Sequence, residues 1–207
     1  IGPWVGQLGN AGGTIRLRNR FDKILLEIDY EDEMPWPIEA DGQGHSVVLR
    51  YPDYGEGEVR AWSASASRNG SPGTMDTIPA DHLRNVKINE WLAHTDLPQT
   101  DFIELFNHGT QTVDLAGCVL RDSSTNRFTI PPATQLGPAS FVSYDQATLG
   151  FSLSSRGDRI LLVASNLSYV IDAVKFSAQE NGVASGRLPD GAPKFHELAS
   201  TSPGTPN

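Results

Sequence analysis

Apolar positions along this chain come in short runs broken by Gly, Pro, Asn or Asp, and several runs alternate with polar residues. That period of two, with frequent turn residues, predicts β-strands. The pattern places them at 14–18, 24–30, 46–51, 86–92, 101–107, 118–122, 127–130, 140–143, 159–164 and 169–176. Helical periodicity is confined to two short stretches, 80–83 and 144–149. Many short strands at this spacing read as an all-β sandwich or barrel.

The stretch from Ser65 to Arg84 is the poorest in residues to bury. It contains Asn69-Gly70, Ser71-Pro72-Gly73 and Pro79, the composition of a linker. The expected organisation is a first domain at 1–75, a linker at 76–85 and a second domain at 86–207.

The two domains look like copies of one another. Leu8–Leu17 parallels Leu153–Leu162, each with a glycine turn ahead of a strand. Glu27–Tyr30 parallels Ala173–Phe176, and Gly44–Leu49 parallels Ala184–Leu188. Ser71-Pro-Gly-Thr74 recurs as Ser202-Pro-Gly-Thr205. The offset shrinks from 145 to 131 while the order is kept, as a duplication with loop gaps requires. The strands at 86–152 have no counterpart in the first copy. On this reading the first domain is the back half of a repeat whose front strands belong ahead of Ile1. The apolar faces of Ile15, Leu17, Leu26 and Ile28 are then expected to pack on the second domain, to pair with another chain as a point of self-association, or to remain labile.

Composition narrows the functional classes. The chain of 207 residues has a formal net charge of −9 and a pI near 4.9, which disfavours nucleic acid as a partner. Arg16, Arg18 and Arg20 alternate with Ile15, Leu17 and Asn19, the pattern of a solvated strand face. The single cysteine, Cys118, lies in an apolar run and reads as a core residue. No apolar run is long enough to span a membrane, and no signal peptide is visible. Because the first residue is not methionine, a targeting segment is taken to have been removed.

The order of motifs from residue 86 onward resembles the lamin tail domain family. It runs Asn89-Glu90-Trp91, then Phe102-Ile-Glu104-Leu-Phe-Asn107, then Asp114-Leu-Ala-Gly117, then Phe128-Thr-Ile-Pro131. The block 153–162 and the closing Ser202–Thr205 fit as well. In the first copy, Leu8-Gly-Asn10, Ile28-Asp-Tyr30, Pro35-Trp36-Pro37, Asp41–Ser46, Trp62 and Ser65–Thr74 resemble the back half of bacterial members. Cys118 stands where the family commonly has tryptophan, and Phe106 where tyrosine is usual. The resemblance implies an immunoglobulin-like β-sandwich, complete at 86–207 and partial at 1–75. It also implies a non-catalytic module, appended in bacteria to secreted or surface proteins, among them nucleases and other hydrolases.

Candidate chemistry is sparse. Glu90 and Glu104 lie in neighbouring apolar strands, where paired carboxylates serve as calcium ligands or as acid and base. The plainer reading, which we favour, is that each accepts backbone or hydroxyl hydrogen bonds and fixes the hairpin. The acidic run Asp29, Glu31, Asp32 and Glu33 lacks the spacing of an EF-hand loop. None of the histidines, His45, His82, His94, His108 and His196, shows metal-ligand spacing, and no Gly-x-Ser-x-Gly occurs. Trp36, Tyr51 and Tyr54, with Trp4, are candidates for an aromatic binding surface; the alternative for Trp36 is a plug at the end of the sandwich.

The expected function is a non-catalytic binding or assembly module of a larger bacterial secreted or cell-surface protein, without catalytic residues or cofactor. Its partners would be proteins or a cell surface. The alternative is an accessory substrate-binding domain of an extracellular hydrolase whose catalytic part lies upstream. A surface enzyme built on Glu90 and Glu104 is the third reading.

Overall fold

A computed structural model describes residues 6–123 and 125–207. The chain divides into two compact units, Ile1–Ile78 and Pro79–Asn207.

The first unit is built on two hairpins. Strands β1 (Gly12–Arg18) and β2 (Ile24–Glu31) pair antiparallel, with Ile15 opposite Ile28 and Leu17 opposite Leu26. Asn19 closes the turn between them, its Oδ1 accepting from the N–H of Phe21 at 2.9 Å and of Lys23 at 3.0 Å. Strand alternation separates the two faces. One face carries Ile15, Leu17, Leu26 and Ile28. The other carries Thr14 bonded to Asp29 and Arg16 paired with Glu27. Strands β3 (Val47–Leu49) and β4 (Trp62–Ala64) form the second hairpin. Among the described residues of this unit, Trp36, Ile38, His45, Ala61, Ser65 and Ala66 are buried.

The second unit is a two-sheet sandwich. One sheet has the order β11-β6-β5-β14-β15, the other β13-β12-β8-β9. Their strands are β5 (Val86–Leu92), β6 (Phe102–Asn107), β8 (Val119–Arg121), β9 (Arg127–Thr129), β11 (Phe141–Asp145), β12 (Gly157–Val163), β13 (Val170–Ser177), β14 (Ser185–Arg187) and β15 (Phe195–Glu197). A small ladder pairs β7 (Val113–Asp114) with β10 (Gln135–Leu136). The core lies between the sheets, where Ile88, Ile103 and Leu105 of one meet Leu120, Ile160, Leu162 and Val174 of the other. Each such side chain contributes about 1.5–3 kcal/mol on burial. Cys118 is fully buried in this core. Trp91 packs against Phe176 and Phe195, with ring centroids 5.3 and 4.9 Å away.

All ten strands expected from the pattern are present in some form. Five more, β4, β7, β10, β14 and β15, are two or three residues long and carry too little apolar sequence to signal themselves. The first helical stretch is shifted by two residues from the expected 80–83, and the second is shorter than the expected 144–149. His82–Asn85 is a single 3₁₀ turn capped by Asp81, whose side chain accepts from the Leu83 N–H. Helix α1 (Gln146–Leu149) is capped by Asp145 and stopped by Gly150 in the left-handed conformation.

The segment expected to be linker has structure at both ends. Asp76 accepts from the Ala66 N–H at 3.0 Å and pairs with Arg50, so it belongs to the first unit. The Asp81 carboxylate accepts from the Tyr169 hydroxyl, and Leu83 packs on the second core. Polar side chains anchor the segment at both ends, a kind of order that apolar content does not signal.

Candidate functional site

Glu90 and Glu104 sit directly opposite each other on β5 and β6, and both are fully buried. A β-bulge brings them there. Asn89 is the extra residue on β5, between the Ile88–Leu105 and Glu90–Glu104 pairs. Such a bulge re-aims the neighbouring side chains.

Each carboxylate is committed to the C-terminal turn. Glu90 accepts from the Ser202 N–H at 3.1 Å and from the Ser202 hydroxyl at 2.9 Å. Glu104 accepts from the Gly204 N–H at 2.6 Å and from Asn89 Nδ2 at 3.1 Å. Asn89 also donates to Asp190 at 2.9 Å and accepts from the Gly191 N–H at 3.0 Å. Asn207 completes the cluster: its N–H donates to Asp190 at 3.2 Å and its Nδ2 to the Arg187 carbonyl at 2.9 Å.

Burial dominates the electrostatics. It pushes Glu104 from 4.5 up to about 7, against the opposing hydrogen bonds from Gly204 and Asn89, with Glu90 adding a like charge. Burial also raises Glu90, partly offset by its bonds from Ser202. A proton is therefore favoured on this pair towards neutral pH. Such a pair has the ingredients of acid–base chemistry, but its donors are the protein's own backbone and hydroxyl groups, and its oxygens are closed to solvent. Its evident work is to clasp the end of the chain onto the middle of the sheet.

A second buried clamp supports the first. Asp172 on β13 accepts from the Ile88 N–H at 2.9 Å and pairs with Arg187 on β14 at 2.9 Å. Arg187 Nε donates to the Ile88 carbonyl at 2.9 Å. These groups tie β5 to one strand of each sheet.

Trp36, Tyr51 and Tyr54 do not share one environment. Trp36 is 8% exposed and packs against Trp62, ring centroids 6.2 Å apart. It lines an apolar groove of about 450 Å³ together with Ile15, Ile28, Tyr30 and Trp62. Tyr51 and Tyr54 are exposed, 6.1 Å apart, with the Arg60 guanidinium 4.5 Å over the Tyr54 ring. Trp4 lies outside the described residues.

In the acidic run, Asp29 bonds Thr14 across the ribbon. His45 and His94 each bond a backbone carbonyl through Nδ1, those of Ser65 and Gln179. Among the described residues no group of three or more His, Cys, Asp or Glu is placed to hold a metal ion. Among them, too, no helix is long and apolar enough to cross a membrane.

Sequence reasoning found the two glutamates but not the groups that hold them: Asn89 as a bulge, Asp190, Asn207, and the N–H groups of Ser202 and Gly204. The only signal was the recurrence of Ser-Pro-Gly-Thr at 71–74 and 202–205.

No match to the chain is found among curated proteins. A family model described as Lamin Tail Domain matches residues 79–178, the stretch from the Asp81 cap through β13. The bulged Asn89-Glu90 strand, the Glu104 strand and the two-sheet core all fall within it, and the second unit of this chain belongs to the lamin tail domain family.

Proposed function

We propose that the chain is a non-catalytic binding or assembly module of a larger bacterial secreted or cell-surface protein, making protein–protein or surface attachments. The lamin tail domain is an immunoglobulin-like fold usually engaged in binding or assembly. The exported bacterial setting follows from the resemblance of the motifs to members appended to such proteins. The observation that carries the non-catalytic part is the state of Glu90 and Glu104, fully buried and hydrogen-bonded to the C-terminal turn. An acid–base pair must reach a substrate proton directly or through a water. The test is to assay the purified chain on nucleic acid, phosphoester and glycan substrates, beside a cross-linking capture from a bacterial envelope fraction. Specific capture without turnover is expected; turnover abolished by Glu90→Gln and Glu104→Gln would overturn the reading.

The exposed Tyr51–Tyr54 pair favours a second reading, an accessory domain that presents a hydrolase with its substrate. Paired aromatic faces on a surface suit sugar rings or peptides. Tyr51→Ala together with Tyr54→Ala would then abolish retention on an insoluble glycan while leaving the melting temperature unchanged; equal retention would remove this alternative.

A further inference from the structure

The two units contain the same ladder. Gly12 pairs with Glu31, Ile15 with Ile28 and Leu17 with Leu26, and the register shifts between Leu17 and Arg18. Gly157 pairs with Ser177, Ile160 with Val174 and Leu162 with Asp172, and the register shifts between Leu162 and Val163. Gly12 and Gly157 share a positive φ, 121° and 114°, and a Cβ on either would lie 2.6 or 2.8 Å from a cross-strand carbonyl, that of Tyr30 or of Phe176.

The agreement extends to the next hairpin. Ser65 N–H donates to the Ser46 carbonyl at 2.7 Å, as Leu198 N–H does to the Ala184 carbonyl at 2.9 Å. This aligns Ser46 with Ala184, one residue off the pairing suggested by the sequence. The closing turns match as well. Thr74 N–H reaches the Ser71 carbonyl at 3.0 Å, and Thr205 N–H reaches that of Ser202 at 2.9 Å. The Ser71 hydroxyl meets Asp76 at 3.2 Å, and the Ser202 hydroxyl meets Asn207 at 2.7 Å.

What differs is the cover. In the second unit the outer edge of β12 pairs with β8, Leu162 opposite Leu120, and Leu162 is fully buried. There the turn donates its Ser202 and Gly204 N–H groups to Glu90 and Glu104. In the first unit β1 and β2 stand as a two-stranded sheet among the described residues, and Leu17 is 56% exposed. The N–H groups of Ser71 and Gly73 find no acceptor among the described residues. Among the described residues, an unpaired edge, a partly exposed apolar face and a carboxylate-binding turn without its carboxylates occur in one unit.

We propose that the first unit is the back half of a lamin tail-type sandwich, and that its open face receives a front half of the kind formed by residues 79–152. A strand like β8 pairs along Arg16–Arg18. A hairpin like β5–β6 lays apolar side chains over Ile15, Leu17 and Ile28 and sets two cross-strand glutamates on the Ser71 and Gly73 N–H groups. The occupant lies on the same polypeptide and enters β1 through the Leu8 turn, as residues 86–152 enter β12 through Leu153. The inference stands without the function proposed above.

The test extends the chain. A second copy of residues 79–152 replaces residues 1–7 and leads directly into Leu8, the register that Leu153 sets. Leu17→Cys, introduced in both the extended and the original chain, supplies a reporter thiol, since the native Cys118 is buried. The extension is expected to slow thiol labelling at position 17 by at least about ten-fold. Glu→Gln changes at both positions of the added copy that correspond to Glu90 and Glu104 should restore most of the labelling rate. An unreactive Cys118 reports that the second unit stays folded in every variant. Equal labelling with and without the extension overturns the proposal. So does protection of the original chain that grows with its concentration, which would make a second copy the occupant.

Discussion

Glu90 and Glu104 face each other across β5 and β6, and each accepts the N–H of one residue of a single turn, Ser202 or Gly204, at 3.1 and 2.6 Å. The contacts join groups 112 and 100 residues apart. The end of the chain is thus fastened to the middle of the sheet by carboxylates rather than by a further strand. Breaking the clasp on one side leaves buried acceptors or donors unpaired, which costs more than the bonds contribute when made.

The clasp makes stability depend on pH. Glu104 is raised from 4.5 to about 7, chiefly by burial. A carboxylate whose folded pKa exceeds its unfolded value binds more protons in the folded state. Its contribution is therefore full below about 4.5 and is lost as pH climbs through about 7. Urea unfolding of the chain should show the second unit weakening between pH 5 and pH 8, by on the order of 3 kcal/mol. Glu104→Gln should flatten the profile across that window. A variant with the same slope as the parent would place the titration elsewhere.

The buried ion pair between Arg187 and Asp172, 2.9 Å apart, gives a second expectation. Arg187→Met leaves Asp172 buried with Lys87, 3.5 Å away, as a more distant cation. The loss should be about 3–5 kcal/mol, as for other buried pairs broken on one side. Adding Asp172→Asn to Arg187→Met removes the stranded charge and should recover part of it. A double-mutant cycle in urea separates the two effects, and additive losses would mean that the pair is not coupled.

How much of this was legible depends on which physical signal a residue carries. Strands β5, β6, β12 and β13 announce themselves, because they are largely buried and their sequences, though interrupted by Asn89, Glu90, Glu104 and Asp172, are rich in β-branched, leucine and aromatic residues. Strand β14 does not, since Ser185-Gly186-Arg187 has no apolar pattern. It exists because Gly186 admits a close approach, a Cβ there lying 2.8 Å from Leu198 and 3.0 Å from the Asn89 carbonyl, and because Arg187 has Asp172 to meet. The proximity of Glu90 and Glu104 could be read from two adjacent apolar strands. Their partners could not, because the turn at 202–205 reaches them only through the tertiary fold. For Trp36, flanking prolines do not reveal burial, which is set by its contact with Trp62 across the unit.

Gly157 should tolerate no side chain. Its φ is 114°, and an added Cβ would lie 2.8 Å from the Phe176 carbonyl. Gly157→Ala must distort the β12–β13 ladder, at a cost of about 1–3 kcal/mol from backbone strain alone. Gly150 is the control. Its φ is 76°, but a Cβ there meets nothing within 4 Å, so Gly150→Ala should cost only about 1 kcal/mol. Thermal unfolding of the two variants should rank them in that order. Equal losses would show that the cross-strand contact at Gly157 relaxes.

Leu17 and Leu162 occupy the same place in the two matching ladders and should respond very unequally to truncation. Leu162 is fully buried, among core residues that include Ile88 and Leu120. Leu162→Ala removes that packing and leaves a cavity, at about 2–5 kcal/mol. Leu17 is 56% exposed, so its truncation in this chain should stay within about 0.5 kcal/mol. If Leu17→Ala proved as costly as Leu162→Ala in a dilute monomer, the face carrying Leu17 would already be covered in solution. A small effect that becomes large once a front half is supplied ahead of β1 would tie the cost to the cover, since the side chain and its ladder are the same in both cases.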